Sequence, residues 1–441
     1  MDIDTRGLDI NHKDHLVFGG CDVVDLAGEY GTPLYVVDEN RVRSNYHRFM
    51  DAFNRFYHEV EIFYSYKTNC IPAILKTLHK EGCGAEVVSP YEFWLAHQLE
   101  TDPSRIIYNG VNKSKEDLKT AIQQGVGLIN ADSPDEIRRL KAASDELGMH
   151  VNVGVRIYPE IGWKSQFGFQ KNGDNIISIF EEIVESDFLE PCCLHIHFGT
   201  SIRETGPHRD VIKKITSLMK DLKEKINLEL KYLDMGGGFG IPTVKTLSLS
   251  EIAFYKIFNI PPKGPKISSC PSIETFGEII TGDLISEFER YGLKKPRLIL
   301  EPGRVITGDT QILLVTVGEI KKRNNGVNFA ITDGGMQNIA FPLSYEYHKC
   351  LLGNRCSAGI KDRYHVTGPL CSPEDLLYRN WRLPELKAGD ILAIMDAGAY
   401  FTSFSNNFSY PRPAVVSTKD GSHRIIRERE NFMHMTGLDM I

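Results

Sequence analysis

Val60-Glu61-Ile62-Phe63-Tyr64-Ser65-Tyr66 is an apolar, aromatic-rich run that predicts a buried strand, and Lys67 follows it directly. Similar short apolar runs recur along the chain, separated by amphipathic stretches long enough for a helix. They lie at 85–88, 106–108, 127–130, 151–157, 194–198, 232–235 and 297–300. Eight strands alternating with helices over about 240 residues predict an α/β fold of the (β/α)8 TIM-barrel type.

The sequence on either side of these runs has a different rhythm. An extended segment at 33–37 and a helical stretch at 41–56 precede them. After Arg304 the pattern becomes β-rich with little helix, which predicts a second, mostly β domain whose polar stretch 321–325 forms a hairpin tip. The predicted strands of this domain are 312–318, 328–332, 391–395 and 414–418. The predicted domains are an N-terminal segment 1–40 that joins the β domain, a barrel 41–304 and the β domain 305–441.

Composition excludes several classes of protein. The 441 residues include 51 Lys and Arg against 58 Asp and Glu, a net charge of −7, which argues against nucleic-acid binding by bulk charge. No signal-peptide pattern opens the chain, and no apolar run approaches the roughly 18 residues of a membrane span, so we expect a cytoplasmic protein without a membrane partner. Nine cysteines without C-x-x-C spacing argue against a zinc knuckle and a disulfide framework.

Two features at predicted strand ends suggest chemistry. Lys67 closes an aromatic strand at the barrel end where such folds place their sites, although a lone lysine there is often only a solvated surface group. Residues 233–240 (LDMGGGFG) run from a strand into closely spaced glycines. Backbone amides without a Cβ can close around a phosphate, although a tight turn without a ligand has the same pattern.

Two further strand ends carry histidines and a carboxylate. His195 and His197 have strand spacing and share a face, but no third ligand has suitable spacing, so we predict no metal. Glu301 and Arg304 follow an apolar run, where a structural ion pair is the simpler interpretation. A strand-end lysine, a phosphate loop, a stacking imidazole and a buried carboxylate are together what pyridoxal phosphate needs: a Schiff base, an anchor, a platform and a partner for the ring nitrogen.

In combination these motifs resemble the fold-type III pyridoxal-phosphate decarboxylases, which include diaminopimelate, ornithine and biosynthetic arginine decarboxylases and share their barrel with alanine racemase. The resemblance covers about residues 30 to 425. Its motifs in the barrel are 64–69 (YSYKTN), 84–92 (GAEVVSPYE), 195–200 (HIHFGT), 236–240 (GGGFG) and 301–304 (EPGR). In the β domain, 368–371 (GPLC) and 396–400 (DAGAY) resemble segments that such enzymes offer to the active site of the partner subunit.

The resemblance implies a mechanism and the roles of its residues. Lys67 would bind pyridoxal phosphate and be displaced by the substrate amine to give an external aldimine. Glu301 would keep the ring nitrogen protonated while CO2 leaves, and the resulting quinonoid would be protonated at Cα by Cys371, with Lys67 as the alternative acid. His197 would stack on the ring. The sites would be shared between the subunits of a head-to-tail homodimer.

The resemblance also implies two sets of binding residues. The cofactor-binding set is Lys67, Glu86, His197, Thr200, Gly236, Gly237, Gly238, Glu301, Gly303, Arg304 and Tyr400. The substrate-binding set is Arg304, Tyr345, Ser372, Glu374 and Tyr400.

Two departures from the family pattern bear on the substrate. Ser372 follows the site cysteine where diaminopimelate and ornithine decarboxylases carry an acid, and Phe341 precedes Pro342 where diaminopimelate decarboxylases carry an arginine. Each lost charge partner is worth on the order of 1–3 kcal/mol. We therefore expect a decarboxylase of an amino acid, or of a carrier-protein- or citrate-conjugated amino acid, in a biosynthetic route such as secondary metabolism or siderophore assembly. The alternative is meso-diaminopimelate decarboxylase of lysine biosynthesis. A non-catalytic regulatory homologue is less consistent, because it should have lost Lys67 or Cys371.

Overall fold

The computed structural model describes residues 8–162, 165–170, 175–324 and 326–440, without the side chains of 340–343. These residues form two compact units. The barrel unit comprises 45–240 and 268–305, and the β unit comprises the described parts of 1–44, 241–267 and 306–441. The segment 241–267 lies inside the predicted barrel range 41–304 but clusters with the β unit, because one of its strands, Lys245–Thr246, pairs with Glu346–Tyr347.

The barrel unit contains a closed parallel sheet, which confirms the predicted fold class. Each strand pairs with the next in chain order, and the eighth pairs with the first, which closes the barrel. In chain order the eight strands are Val60–Ser65, Gly84–Val87, Ile106–Tyr108, Leu128–Ala131, Val151–Tyr158, Leu189–Ile196, Tyr232–Asp234 and Arg297–Leu300. A short strand, Phe169–Gln170, pairs beside the fifth.

The sixth barrel strand differs most from its prediction. It begins at Leu189, five residues before the predicted 194–198, and ends at Ile196. Its pairing with the fifth strand shifts register between Pro191 and Cys193. A proline inside a central strand is tolerated where a bulge removes the need for its missing N–H, so Pro191 concealed the start of the strand.

Helices follow the barrel strands, and several of them begin at side-chain caps. Ser133, for example, accepts a hydrogen bond from the backbone N–H of Glu136, Pro134 takes the first helical position, and Gly148 ends the helix with φ = +61°. The helices of this part of the chain are Glu39–Asn54, Pro72–Lys80, Pro90–Gln98, Lys115–Gln123, Pro134–Leu147, Ile176–Val184, Gly206–Ile226, Ile273–Tyr291 and Arg304–Thr307.

The barrel interior changes character along its axis. An apolar cluster from five strands fills part of it; its members are Phe63, Ile107, Leu128, Cys192, Cys193 and Ile299. Polar side chains replace the apolar ones towards the carboxyl ends of the strands. Packed apolar side chains therefore fill the barrel interior, and the polar side chains that could react lie at one end, as is general for this architecture.

The β unit is built around the twelve-residue strand Gln311–Lys322, which pairs with Leu34–Asp38, Asn328–Thr332 and Ile391–Ile394. Its register shifts between Val317 and Glu319. Residues 311–316 of the strand pair with Leu34–Asp38 and Ile391–Ile394, and residues 317–322, which include the irregularity, pair with Asn328–Thr332. Its other strands are Asp9–Ile10, Leu16–Phe18, Cys21–Asp22, Cys350–Leu352, Asp362–Thr367, Leu376–Leu383, Ala414–Lys419 and Ser422–Arg427.

The β unit also contains helices, three of them in the stretch after Arg304 that is predicted to hold little helix. They are Val23–Tyr30, Leu249–Phe258, Met336–Tyr345, Phe401–Phe404 and Phe432–Thr436. The predicted hairpin tip at 321–325 is shorter than expected, because Lys321 and Lys322 still pair within the sheet; Asn325 lies outside the described residues. Among the described helices none is both long and apolar enough to cross a membrane. All nine cysteines are free, and only Cys371 is exposed.

Candidate active site

Seven barrel strands carry buried polar side chains at or just beyond their carboxyl ends. We call this set the polar ring: Ser65, Glu86, Asn109, Asn130, His195, Asp234 and Glu301, each at most 4% exposed. Buried polar groups are costly unless they are hydrogen-bonded, so a ring this dense indicates function or a tightly satisfied network.

Lys67 lies beside this ring, in the 3-10 turn Tyr66–Thr68 that continues the first barrel strand. Its Nζ is 2.7 Å from both Ser65 Oγ and Glu86 Oε2, and Ser65 Oγ also donates to Glu86. The Lys67 side chain is 37% exposed, whereas that of Glu86 is 1% exposed. The structure thus places an accessible amine on a buried, oriented carboxylate.

Two asparagines connect the carboxylates of the ring. Asn109 Nδ2 donates to Glu86 Oε1 at 3.0 Å and to Glu301 Oε1 at 2.6 Å. Asn130 Nδ2 donates to Asn109 Oδ1 at 2.9 Å and to Asp234 Oδ2 at 3.3 Å. A continuous set of hydrogen bonds therefore links the carboxylate that holds Lys67 with the two acids of the seventh and eighth strands.

Glu301 directly follows the eighth strand, and its backbone N–H donates to Gly236 O at 2.8 Å. Burial opposes its ionisation, but His195, Lys67 and a hydrogen bond with Asp234 outweigh burial and lower the pKa of Glu301. Burial and the adjacent Glu301 raise the pKa of Asp234 well above its usual range. The two acids are therefore driven towards opposite protonation states.

The two histidines of the sixth strand lie in different environments. His195 is 1% exposed, and its Nε2 is 3.6 Å from Glu301 Oε2. His197 follows the strand end, and its Nδ1 accepts the N–H of Gly237 at 3.1 Å. Burial, with Lys67 nearby, lowers the pKa of His197 to about 3, so its ring is neutral at pH 7. A neutral, half-buried imidazole suits a flat aromatic surface.

The glycine run is required by close packing. A Cβ at Gly236, where φ is +63°, would lie 2.7 Å from Ile196 O, and one at Gly237 would lie 2.2 Å from Glu301 O. A Cβ at Gly238 would lie 2.4 Å from Gly199 O, and one at Gly303 would lie 2.1 Å from Thr68 Oγ1. Only glycine lets these strand-end loops approach one another this closely.

The remaining predicted barrel residues also lie near strand ends, with half-buried Thr200 four residues beyond the sixth strand. Arg304 is 5% exposed and opens the helix Arg304–Thr307. The other predicted site residues belong to the β unit. Their exposure is consistent with access to a ligand: Cys371, Glu374 and Tyr345 are exposed, and Ser372 and Tyr400 are half-buried. The side chain of Phe341 lies outside the described residues.

The sequence offered an incomplete prediction of the polar ring. Asn109, Asn130 and Asp234 have no predicted role, although each lies within one residue of the carboxyl end of a barrel strand. Strand-end position combined with a short polar side chain was the available signal. Their partners come from distant strands; Asn109 and Glu301, for example, are 192 residues apart in the sequence.

The residues present fit pyridoxal phosphate. The site offers a partly exposed amine on Lys67, a neutral ring on His197, a carboxylate on Glu301 and closely packed glycine loops whose backbone amides no Cβ covers. These would hold the aldehyde carbon, the face of the ring, the ring nitrogen and the phosphate, respectively.

Comparison with known proteins supports this fit. Residues 39–308 match the family model described as "Pyridoxal-dependent decarboxylase, pyridoxal binding domain". The diaminopimelate decarboxylase of Methanothermobacter thermautotrophicus is 34% identical, over 96% of this chain and 95% of its own length. That of Methanocaldococcus jannaschii is 29% identical, over 96% and 94%. A crystal structure of the M. jannaschii enzyme with L-lysine has a TM-score of 0.88 at 28% identity and covers 100% of this chain and 98% of its own.

These relatives overturn one expectation from the sequence. The main prediction is a decarboxylase of an amino acid or a conjugated amino acid in a route such as secondary metabolism or siderophore assembly. Full-length relatives at 28–34% identity are instead named diaminopimelate decarboxylases, which favours the alternative prediction. The main prediction gave too much weight to Ser372 and Phe341. A counter-charge for a substrate depends on where side chains lie in space, and a neighbouring acid such as Glu374 can replace one absent from a single position.

Proposed function

Because this chain belongs to the pyridoxal-dependent decarboxylase family and is a pyridoxal-phosphate-dependent carboxy-lyase, we propose that it decarboxylates meso-diaminopimelate to lysine. The observation that supports this substrate is the 34% identity to the M. thermautotrophicus diaminopimelate decarboxylase over nearly the whole of both chains. The lysine in the M. jannaschii structure is consistent with it, since diaminopimelate that has lost one carboxylate is lysine.

Bound pyridoxal phosphate supplies an electron sink for the electron pair left at Cα when CO2 departs. The chain's own residues prepare that chemistry. Glu86 and Ser65 orient the Lys67 amine, which would hold the cofactor. The Glu301 carboxylate, kept ionised in a buried site, would hold a proton on the ring nitrogen. The neutral ring of His197 would support the cofactor's face without adding charge.

Cys371 and the loop that carries it would serve the substrate. Cys371 is exposed and would deliver the proton to Cα, while exposed Glu374 would pair with the distal ammonium of diaminopimelate. Asp375 has a different role: its carboxylate accepts the N–H groups of Met336 and Leu370 at 2.6 and 2.7 Å. It therefore shapes the loop, and Glu374 is the acid left to meet a ligand.

Two further substrate contacts and the assembly complete the proposal. Arg304 and Tyr345 would contact the substrate's carboxylates, and Ser372 its distal end. The protein would act as a head-to-tail homodimer in which Cys371 and Tyr400 complete the site of the other subunit. This arrangement is supported by the family resemblance of 368–371 and 396–400.

The test is a comparison of CO2 release from meso-diaminopimelate, L-lysine, L-ornithine and L-arginine at matched concentrations, with lysine measured as the product. We expect kcat/KM for diaminopimelate to exceed that for each of the others by at least about 10²-fold, because only diaminopimelate offers both charges at its distal end. Faster turnover of ornithine or arginine would refute the proposed substrate while leaving the carboxy-lyase class intact.

A further inference from the structure

Asp234 is a buried acid with no role in the chemistry above, although it lies among the groups that would hold the ring nitrogen. It is 0% exposed. Three atoms lie within 4.8 Å of one another: one carboxyl oxygen of Asp234, one carboxyl oxygen of Glu301 and one ring nitrogen of His195. Two carboxylates this close in a buried site repel each other strongly unless one of them carries a proton or a cation lies between them.

Among the described residues, the groups that face Asp234 include no such cation. The titratable groups that face it are Glu301 on the eighth strand, Glu86 on the second, and His195 and Cys193 on the sixth. Burial lowers the pKa of His195, so it is neutral near pH 7. Burial raises the pKa of Cys193, so it too is uncharged.

Hydrogen bonds determine which of the two acids holds the proton. Glu301 receives the short bond from Asn109 and lies near the Lys67 ammonium, so negative charge is better supported there. Asp234 receives the N–H of Gly236 at 2.9 Å and the longer bond from Asn130 at 3.3 Å. Amide donors already occupy lone pairs of both carboxyl groups, which favours proton sharing over a bound cation.

We propose that Asp234 stays protonated in the working enzyme and donates a hydrogen bond to Glu301, which fixes the single negative charge of the pair on Glu301. Asp234 is then a positioning residue that acts through Glu301. This inference rests on the proposed role of Glu301 at the ring nitrogen but does not depend on which amino acid is the substrate.

The primary test is infrared spectroscopy of the cofactor-loaded, full-length protein at pH 8. The wild type should show the C=O stretch of a protonated carboxyl group, amounting to one group per chain. Labelling with [13C]aspartate should shift that band, and labelling with [13C]glutamate should not. This readout needs no substitution, so it does not depend on how any variant folds. A band that follows the glutamate label in place of the aspartate label, leaving no aspartate band at pH 8, would overturn the proposal.

Substitutions supply a matched comparison. Asp234→Asn keeps a neutral donor to Glu301 and should remove the band. Asp132→Asn alters another buried strand-end acid, which lies 3.5 Å from Arg156. Burial raises the pKa of Asp132 to about 6, so it is ionised at pH 8 and its replacement should leave the band unchanged. Loss of the band in the Asp132 variant alone would assign the proton to Asp132 and refute the proposal.

Kinetics separate positioning from a purely structural role. Asp234→Asn should keep kcat within about 5-fold of wild type, because the amide still donates, whereas Asp234→Ala should lower kcat by about 10²-fold with a smaller change in KM. Equal losses in both variants would refute the donor role. If diaminopimelate proves not to be the substrate, the infrared result still decides this proposal, so the two failures are distinguishable.

Discussion

Among the described residues, Lys67 and Lys113 both lie near the carboxyl ends of barrel strands, and they differ in accessibility. The Lys67 side chain is 37% exposed, whereas Lys113 is 1% exposed and lies 2.6 Å from the equally buried Glu136. Burial lowers the pKa of Lys113, but its amine is enclosed. Of these two lysines, Lys67 is the one that combines an oriented amine with access for a cofactor.

We therefore expect borohydride to fix pyridoxal phosphate on Lys67 and not on Lys113. Peptide mapping by mass spectrometry after reduction should locate the adduct. Lys67→Ala should remove both the adduct and the cofactor's visible absorbance, because no other amine replaces it. Recovery of the label on Lys113 or any other lysine would show that the site is wrongly assigned.

Glu301 provides the second prediction at this scale. Glu301→Gln keeps the shape and the hydrogen bonds of the side chain but removes the charge that would hold the ring nitrogen protonated. We expect kcat to fall by about 10²-fold or more while the cofactor still binds, as for the loss of one electrostatic stabiliser. Steady-state kinetics with cofactor titration measures this. An unchanged kcat with a large rise in KM would make Glu301 a binding residue instead.

At the scale of elements, the helix Pro90–Gln98 begins at a buried acid. Ser89 caps the helix by accepting the N–H of Glu92, and Glu92 Oε2 accepts the N–H of Val88 at 2.8 Å. Burial and the neighbouring Glu86 raise the pKa of Glu92 to about 7. The folded state therefore binds more protons than the unfolded state between about pH 4.5 and pH 7, and the free energy of unfolding falls as pH rises through that window.

Glu92→Gln should remove this dependence. The variant should match the wild type at pH 4.5 and be more stable at pH 8 by about 3 kcal/mol at most, the value of the shift between the two pKa values. Urea unfolding at both pH values measures the difference. Glu185→Gln, at an exposed helix end, is the control and should show no such gain. A wild-type stability that is flat between pH 4.5 and pH 7 would contradict the raised pKa.

The loop that carries Cys371 gives a prediction about substrate charge. If Glu374 pairs with the distal ammonium of diaminopimelate, Glu374→Gln should raise KM about 10-fold or more, since a desolvated charge pair is worth roughly 1–3 kcal/mol. The cofactor's absorbance should not change. Glu385→Gln removes another exposed acid of the β unit and should leave KM unaltered. Equal KM values in both variants and the wild type would exclude Glu374 from the substrate site.

Elements and site residues differed in how far the sequence could predict them. Parallel barrel strands are buried on both faces and are recognisable as apolar runs, so all eight were predicted, with an error mainly where Pro191 interrupts the sixth. Lys67 and Glu301 stood out because they follow such runs. Asn109 and Asn130 did not, because an amide has a role only once closure of the barrel brings distant strands together.

At the scale of the whole molecule, the residues assigned to the reaction fall into separate parts of the chain. Lys67 and Glu301 belong to the barrel unit, and Cys371 and Tyr400 to the β unit. In a head-to-tail dimer, each site would take its barrel residues from one subunit and its proton donor from the other. Activity would then depend on assembly, and two inactive variants would each lack a different half of the site.

Mixing Lys67→Ala with Cys371→Ala should therefore partly restore activity. When subunits reassort at random, half of the sites have an intact barrel and half of those receive an intact Cys371, so about a quarter of all sites are complete. CO2 release from diaminopimelate after confirmed subunit exchange measures the recovery, and mixing Lys67→Ala with Glu301→Gln is the control. Those two changes lie in the same barrel unit, and each site takes its whole barrel part from one subunit. Every site in this mixture therefore carries one of the two substitutions, and no activity should return. Recovery in the first mixture but not in the second would place Cys371 in the partner's site, whereas no recovery in either would place it in its own subunit's site or outside the chemistry.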